Sequence, residues 1–171
     1  MHRVGDFYKV SYKQFRSDMN ASRPGFFDDE IMDMLENIRL PARATGGSAG
    51  FDFYAPFSFY IAPGATIKIP TGIRAKVDEG WALIILPRSS MGFKYRMQLD
   101  NTIGLIDSDY FEADNEGHIF IKLTNDSKEG KTISVEGGQA FAQGVFIPYG
   151  ITYSDDVTTG RTGGIGSTDK Q

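Results

Sequence analysis

The sequence contains no cysteine. That excludes disulfides, thiolate nucleophiles and Cys-ligated zinc, and it fits a reducing cytoplasm. Histidine is scarce: only His2 and His118 occur in 171 residues. A His-rich metal site or a Ser-His-Asp triad would rest on His118 alone, which argues against both. No apolar run approaches the length of a membrane-spanning helix, and no signal-peptide pattern opens the chain. The expectation is a cytoplasmic protein with no membrane contact. Basic residues are not in excess either. Lys and Arg total 18 against 22 Asp and Glu, a net charge of −4, which argues against direct nucleic-acid binding. An anionic ligand would need a local Arg/Lys cluster or a metal ion.

What is present favours one β-rich domain. The length allows a real core, and 40% of the residues are apolar, which argues against wholesale disorder. Gly is abundant at 20 residues, beside 13 Phe and 8 Tyr, a mix that favours strands and turns.

Near the N-terminus, Phe7–Tyr12 reads as a strand and Pro24-Gly25 as a turn. A helix is expected from Asp28, because Phe27, Ile31, Leu35 and Ile38 recur at helical spacing with Met34 beside them. Asp28 and Asp29 suit its first turn. The helix is expected to pack on its own domain. After Pro41 the pattern changes to short β-prone runs: Phe51–Tyr54, Ser58–Ile61, Thr66–Ile69, Ile73–Val77, Trp81–Leu86, His118–Thr124, Thr132–Val135 and Gln143–Ile147. Many short strands between Gly and Pro turns predict an all-β sandwich or barrel. The last dozen residues lack apolar periodicity and are expected to form a mobile tail.

The chemistry gathers in few places. In Asn101–Tyr110 an apolar run (Ile103, Leu105, Ile106) is followed by Asp107, Asp109 and Tyr110. An Asp at the rim of an apolar pocket can act as general base on a water. A Tyr beside it can stack on a ring-shaped ligand with its hydroxyl in water. The same stretch also reads as a plain β-hairpin with a polar turn. Pro87-Arg88-Ser89-Ser90 brings an Arg fork and two hydroxyls that suit phosphate oxygens. The tail adds Arg161, glycines, Ser167 and Thr168, but it lacks the Gly-Lys-Ser/Thr ending of a P-loop. Gly137–Gln143 reads as a turn entering a strand, with Gln143 a possible donor. Asp52, inside the aromatic run Phe51–Tyr54, could face solvent, pair with Arg88 or hold a metal-bound water.

Taken together and in order, Ala49–Ala55, Pro87–Ser90, Asn101–Tyr110, Gly137–Gln143 and Arg161–Thr168 resemble the five motifs of the trimeric deoxyuridine triphosphate nucleotidohydrolases, the dUTPases. The resemblance covers about residues 40–171, and Gly104–Tyr110 is its most specific piece. It implies an all-β jelly-roll or β-sandwich fold of the β-clip kind, assembled as a homotrimer. It implies residues 1–39 as a strand-plus-helix extension, 40–155 as the β core and 156–171 as a tail that closes over the site. Asp107 would activate the water that attacks the α-phosphorus, giving dUMP and pyrophosphate. Tyr110 would lie against the deoxyribose and leave no space for a 2′-hydroxyl. Asn101 and its hairpin, with Gly104 and Ile106, would read uracil. Arg88, Ser89, Ser90 and Gln143 would contact phosphates. Arg161, Ile165, Gly166, Ser167 and Thr168 would close over the triphosphate, usually on a neighbouring subunit. Mg2+ would ride on the triphosphate, with Asp52 near its water shell.

The chain departs from the family in places. Ile165 stands where a Phe usually covers the uracil, a loss of about 1 kcal/mol of stacking. Phe111-Glu112-Ala113-Asp114 replaces the usual Arg-Gly-Glu, which implies a longer hairpin. Arg161-Thr162-Gly163-Gly164 is a compact fifth motif that resembles Gram-positive bacterial and phage members. Two alternatives stand beside this reading. A dCTP deaminase would need a Glu where Lys122 stands, and an ammonium cannot do that work. A non-catalytic regulatory jelly-roll protein would have no need of Asp107 and Arg88 together.

Overall fold

The computed structural model describes residues 2–158. The expectations placed on Arg161, Ile165, Gly166, Ser167 and Thr168 lie outside the described residues.

The chain opens with β1 (Gly5–Lys9), α1 (Tyr12–Ser22) and α2 (Asp28–Asn37). The strands β2 (Ala42–Arg43), β3 (Phe51–Tyr54), β4 (Phe59–Ile61), β5 (Thr66–Pro70), β6 (Ile73–Val77) and β7 (Trp81–Pro87) follow. A short helix, α3 (Ser89–Tyr95), leads to β8 (Met97–Leu99) and β9 (Gly104–Ile106). After a 3-10 turn at Ser108–Glu112 come β10 (Phe120–Asn125), β11 (Ile133–Val135) and β12 (Ala140–Pro148). The fold is all-β with a helical N-terminal segment, as the sequence predicts.

The largest sheet has five strands in the order β2-β3-β12-β7-β9. A three-stranded sheet (β5-β10-β8) and the pairs β1-β6 and β11-β4 complete the layers. Every pairing is antiparallel, and among the described residues no sheet closes into a barrel. The inward positions of β3, β5, β7, β10 and β12 fill the core with Phe53, Ile69, Leu83, Ile85, Ile121 and Phe141, by the period-2 alternation of pleated strands. Gly144 of β12 lies where facing side chains meet. A Cβ there would sit 2.9 Å from Leu83 Cδ1 and 3.0 Å from Phe53 Cε2, so a side chain would have to push these core groups aside.

The N-terminal segment corrects the sequence reading. The expected strand Phe7–Tyr12 stops at Lys9, and Tyr12 begins α1. Ser11 caps that helix, its Oγ accepting from Gln14 N at 3.2 Å, which satisfies an orphan donor of the first turn. Phe15 and Met19, four apart on one face, are fully buried and fix α1 against the sheet. The second helix starts where predicted, with Asp28, Asp29 and Glu30 in its first turn. Phe27 is not on its apolar face. It precedes the helix and is 74% exposed, while its N–H donates to the Glu30 carboxylate at 2.7 Å.

This segment is bolted to the body by polar contacts as well. Gly72 N–H donates to His118 Nε2 at 2.8 Å. That makes Nδ1 the protonated ring nitrogen, and it donates to Asp18 Oδ2 at 2.6 Å. Ser11 donates to the Glu116 carboxylate from its backbone N (2.7 Å) and its Oγ (2.6 Å). Lys9 Nζ donates to the C-terminal carbonyls of Leu35 and Glu36 in α2. Burial pushes the Asp18 carboxyl up, yet bonds from His118 and Gln14 outweigh it and hold it below the usual range. For Glu116, burial likewise pushes up and the Ser11 bonds prevail downward. Carboxyls lowered on folding stabilise the fold above their unfolded values and lose that effect as pH falls through the folded ones. The expected urea midpoint is therefore flat between about pH 7 and 5 and falls below about pH 4. The acid fall should be shallower in a chain with Asp18→Asn and Glu116→Gln. Equal slopes in the two chains would remove these carboxylates from the acid response.

Candidate functional site

Three strands bring the first group of candidate residues together. Asp52 on β3 lies opposite Gln143 on β12, and Gln143 lies opposite Leu86 on β7. Arg88 follows the end of β7. Its Nε meets Asp52 Oδ1 at 3.2 Å, and its Nη1 donates to Ala140 O at 3.3 Å. Of the options the sequence left open for Asp52, the described geometry is the ion pair. A guanidinium carries more donors than these two bonds use, so the pair orients Arg88 without exhausting it. Gln143 Nε2 donates to Pro87 O at 3.2 Å.

Ser89 and Ser90 occupy the first turn of α3, a helix the sequence reading did not include; both are exposed. A shallow depression of about 450 Å³ lies here, lined by Leu86, Pro87, Arg88, Ser89, Gly92, Phe93 and Gln143. Phe93 is 93% exposed, and sequence reading missed it. The signal was its position three residues beyond the Arg-Ser-Ser stretch, on a helix too short to show periodicity.

The second group lies elsewhere. Asn101 sits in the turn between β8 and β9, where Thr102 N–H donates to Leu99 O at 2.9 Å and Ile103 N–H to Asn101 O at 2.7 Å. Gly104 is packed so closely that a Cβ would fall 3.0 Å from Ile85 Cβ. Strand β9 runs along β7 with Gly104 opposite Ile85 and Ile106 opposite Leu83. Asp107, half-buried, follows Ile106 and leads into the 3-10 turn. It therefore leaves the sheet beside the start of β7, whereas Arg88 leaves at its end. At about 3.3 Å per residue, the run from Leu83 to Arg88 spans roughly 17 Å. Arg88 and Asp107 of one chain stand at opposite ends of one strand.

Tyr110 differs from its expectation. The sequence reading puts its hydroxyl in water. In the structure the residue is only 3% exposed, and its hydroxyl donates to His118 O at 2.8 Å while accepting from Asn115 Nδ2 at 2.9 Å. Both partners lie in the segment that follows Tyr110, and they hold its hydroxyl inside the fold.

Lys122, the position at issue for deamination, lies on β10 and pairs with Asp100 Oδ2 at 2.7 Å. It offers an ammonium engaged by Asp100 and no carboxylate of its own to shuttle a proton.

Among the described residues, no three of His, Cys, Asp and Glu converge to hold a metal ion. One ion-paired carboxylate, Asp52, stands near the depression. That donor set does not make a protein cage. It fits a hard cation held mainly by phosphate oxygens and water, the usual magnesium arrangement.

A family model described as dUTPase matches residues 36–168. The chain belongs to the dUTPase family. It is 40% identical over 144 residues to the deoxyuridine 5′-triphosphate nucleotidohydrolase of Lactococcus lactis subsp. lactis (strain IL1403), covering 81% of this chain and 95% of that one. The dUTPase of Streptococcus mutans superposes with a TM-score of 0.63 at 30% identity, over 86% of this chain and 98% of that one. A dUTPase variant from phage phi11 of S. aureus shares the fold, with a TM-score of 0.58 at 20% identity over 72% and 92% of the two chains. That structure is described as revealing the coordination of a structural Mg(II) ion. The dUTPase model begins at residue 36, so β1, α1 and nearly all of α2 lie outside it.

Proposed function

We propose that this dUTPase-family chain hydrolyses dUTP to dUMP and pyrophosphate, and that it does so as a homotrimer whose sites are shared between chains. The observation that carries the second part is the placement of Arg88 and Asp107 at opposite ends of β7. Both are needed on one bound triphosphate, and a separation of about 17 Å along β7 favours their coming from two chains. Closed rotational symmetry solves this by letting the end of one subunit's strand meet the start of its neighbour's. Family membership supports three subunits.

In that site Asp107 takes the proton from a water as its oxygen attacks the α-phosphorus. Arg88, oriented by Asp52, holds phosphate oxygens together with Ser89, Ser90 and Gln143. Asn101, Gly104 and Ile106 of the β8–β9 hairpin face the uracil. Tyr110 lies against the deoxyribose and leaves no space for a 2′-hydroxyl. Magnesium, when bound to the triphosphate, neutralises charge that builds on the phosphoryl oxygens. Arg161, Ile165, Gly166, Ser167 and Thr168 belong to a tail, 156–171, that closes over the triphosphate. Residues 1–39 act as an extension packed on the 40–155 core. No described helix is long and apolar enough to cross a membrane, and the proposed place of action is the cytoplasm, where dUTP and its product are used.

The test is pyrophosphate release with magnesium from dUTP, UTP, dTTP and dCTP under identical conditions. Fast release from dUTP alone is the expected result. Release from none of them, with nucleotide still bound, would replace this reading with a regulatory one.

A further inference from the structure

The N-terminal segment does more than add to the core. It grips the loop that follows Tyr110 at three points. The Tyr8 ring packs edge-on against Phe111, with centroids 5.7 Å apart. Ser11 donates twice to the Glu116 carboxylate. Asp18 accepts from His118 Nδ1 at 2.6 Å. Arg74, which lies opposite Tyr8 in the β1–β6 register, adds a fourth contact. Its guanidinium sits 3.5 Å from the Phe111 ring centroid and donates to Phe111 O.

These grips converge on one side chain. His118 is the residue whose carbonyl accepts the Tyr110 hydroxyl, and its imidazole is the group that Asp18 and Gly72 hold from two sides. Asn115, which donates to the Tyr110 oxygen, lies between Phe111 and Glu116, both held by the N-terminal segment. The loop also needs holding. Glu116 and Gly117 both have positive φ, 57° and 66°, and for a non-glycine residue that conformation persists only where surroundings enforce it. The N-terminal segment supplies three of these holds, at Phe111, Glu116 and His118, and Arg74 of β6 supplies another at Phe111.

We propose that the N-terminal segment, through Tyr8, Ser11 and Asp18, positions Tyr110 and thereby sets how strictly the site separates deoxyribose from ribose nucleotides. This rests on the dUTP reading above. Tyr8, Ser11, Asp18 and His118 are positioning residues; none of them touches substrate. A filter that works by leaving no space for a 2′-hydroxyl depends on its wall staying in place. A wall that relaxes by a fraction of an ångström admits the hydroxyl, yet still accepts the smaller sugar.

The experiment compares kcat/KM for dUTP and UTP in the full-length chain, in the Asp18→Ala/Glu116→Ala double variant and in Asp18→Asn. The dUTP-to-UTP ratio is expected to fall about tenfold in the double variant. Asp18→Asn, whose side-chain oxygen still accepts from His118, should retain most of the selectivity. Tyr8→Ala removes a half-exposed ring without opening the core, and it should lower the ratio even if the double variant folds poorly. A ratio unchanged in all three variants, with only the urea midpoint lowered, overturns the proposal and leaves the segment a purely structural element. A wild-type chain that hydrolyses neither nucleotide is a different failure, that of the dUTP reading itself.

Discussion

Replacing Asp107 with Asn is expected to lower turnover of dUTP by about 10²–10⁴-fold while nucleotide binding stays near that of the parent. The two side chains have nearly the same shape, but the amide cannot accept a proton from water. The backbone at this position should not change. Tyr110 N–H bonds to the Asp107 carbonyl at 3.2 Å, and the extended conformation of residue 107, φ −81° and ψ 161°, suits Asn equally well. Single-turnover pyrophosphate release, paired with a binding titration of a non-hydrolysable dUTP analogue, separates the two quantities. Unchanged turnover would remove Asp107 from the role of base. Lost binding with normal turnover at saturation would move it to substrate recognition.

The second large effect comes from mixing. Asp107→Asn chains and Arg88→Ala chains should each be nearly inactive alone. Unfolded together and refolded as an equal mixture, they should recover about a quarter of parental activity. A site that takes Arg88 from one chain and Asp107 from the next has roughly one chance in four of receiving both intact groups when subunits assort at random. If one chain supplied both groups, every site in the mixture would lack one of them and no activity would return. The result follows from the register of β7 against β9 and does not depend on the details of the chemistry.

The β core was legible because its strands alternate. Ile73–Val77 carries its inward Ile, Ala and Val on one face and Arg74 and Lys76 on the other, and the structure gives β6 those same bounds. Strand β12 was read too short, as Gln143–Ile147, because Gly137-Gly138 drew attention to a turn. The strand begins at Ala140 and carries an irregularity between Ala140 and Ala142. Helix α1 was missed although its cap, Ser11, and its buried pair, Phe15 and Met19, were there to read. Aromatic residues from Phe7 to Tyr12 suggested one continuous strand, and only the pairing of β1 with β6 decides where it ends. Helix α3 was hidden by its Gly and its brevity. The candidate residues on β3, β7 and β12 were legible as types, and the Asp52–Arg88 pair was among the options. The separation of Arg88 from Asp107 was not, because it depends on which strands are neighbours, and a single sequence does not reveal that. The inward turn of Tyr110 was hidden for a related reason: its partner, His118, is made available by a loop whose shape is set by distant residues.

The bond between Asp18 and His118 joins residues 100 apart in sequence, and the one between Ser11 and Glu116 joins residues 105 apart. A ribosome adds about 5–20 residues per second, so the first helix waits roughly 5–20 seconds for the groups that will hold it. During that interval Phe15 and Met19 have no wall to bury against, because the strands they pack on have not all emerged. The N-terminal segment is made first and locks late. Its closure over the loop after Tyr110 is one of the long-range steps that slow the folding of β-rich chains. The same ordering leaves the nascent chain a period in which the α1 segment, 11 residues long and marginal as an isolated helix, keeps Phe15 and Met19 in water.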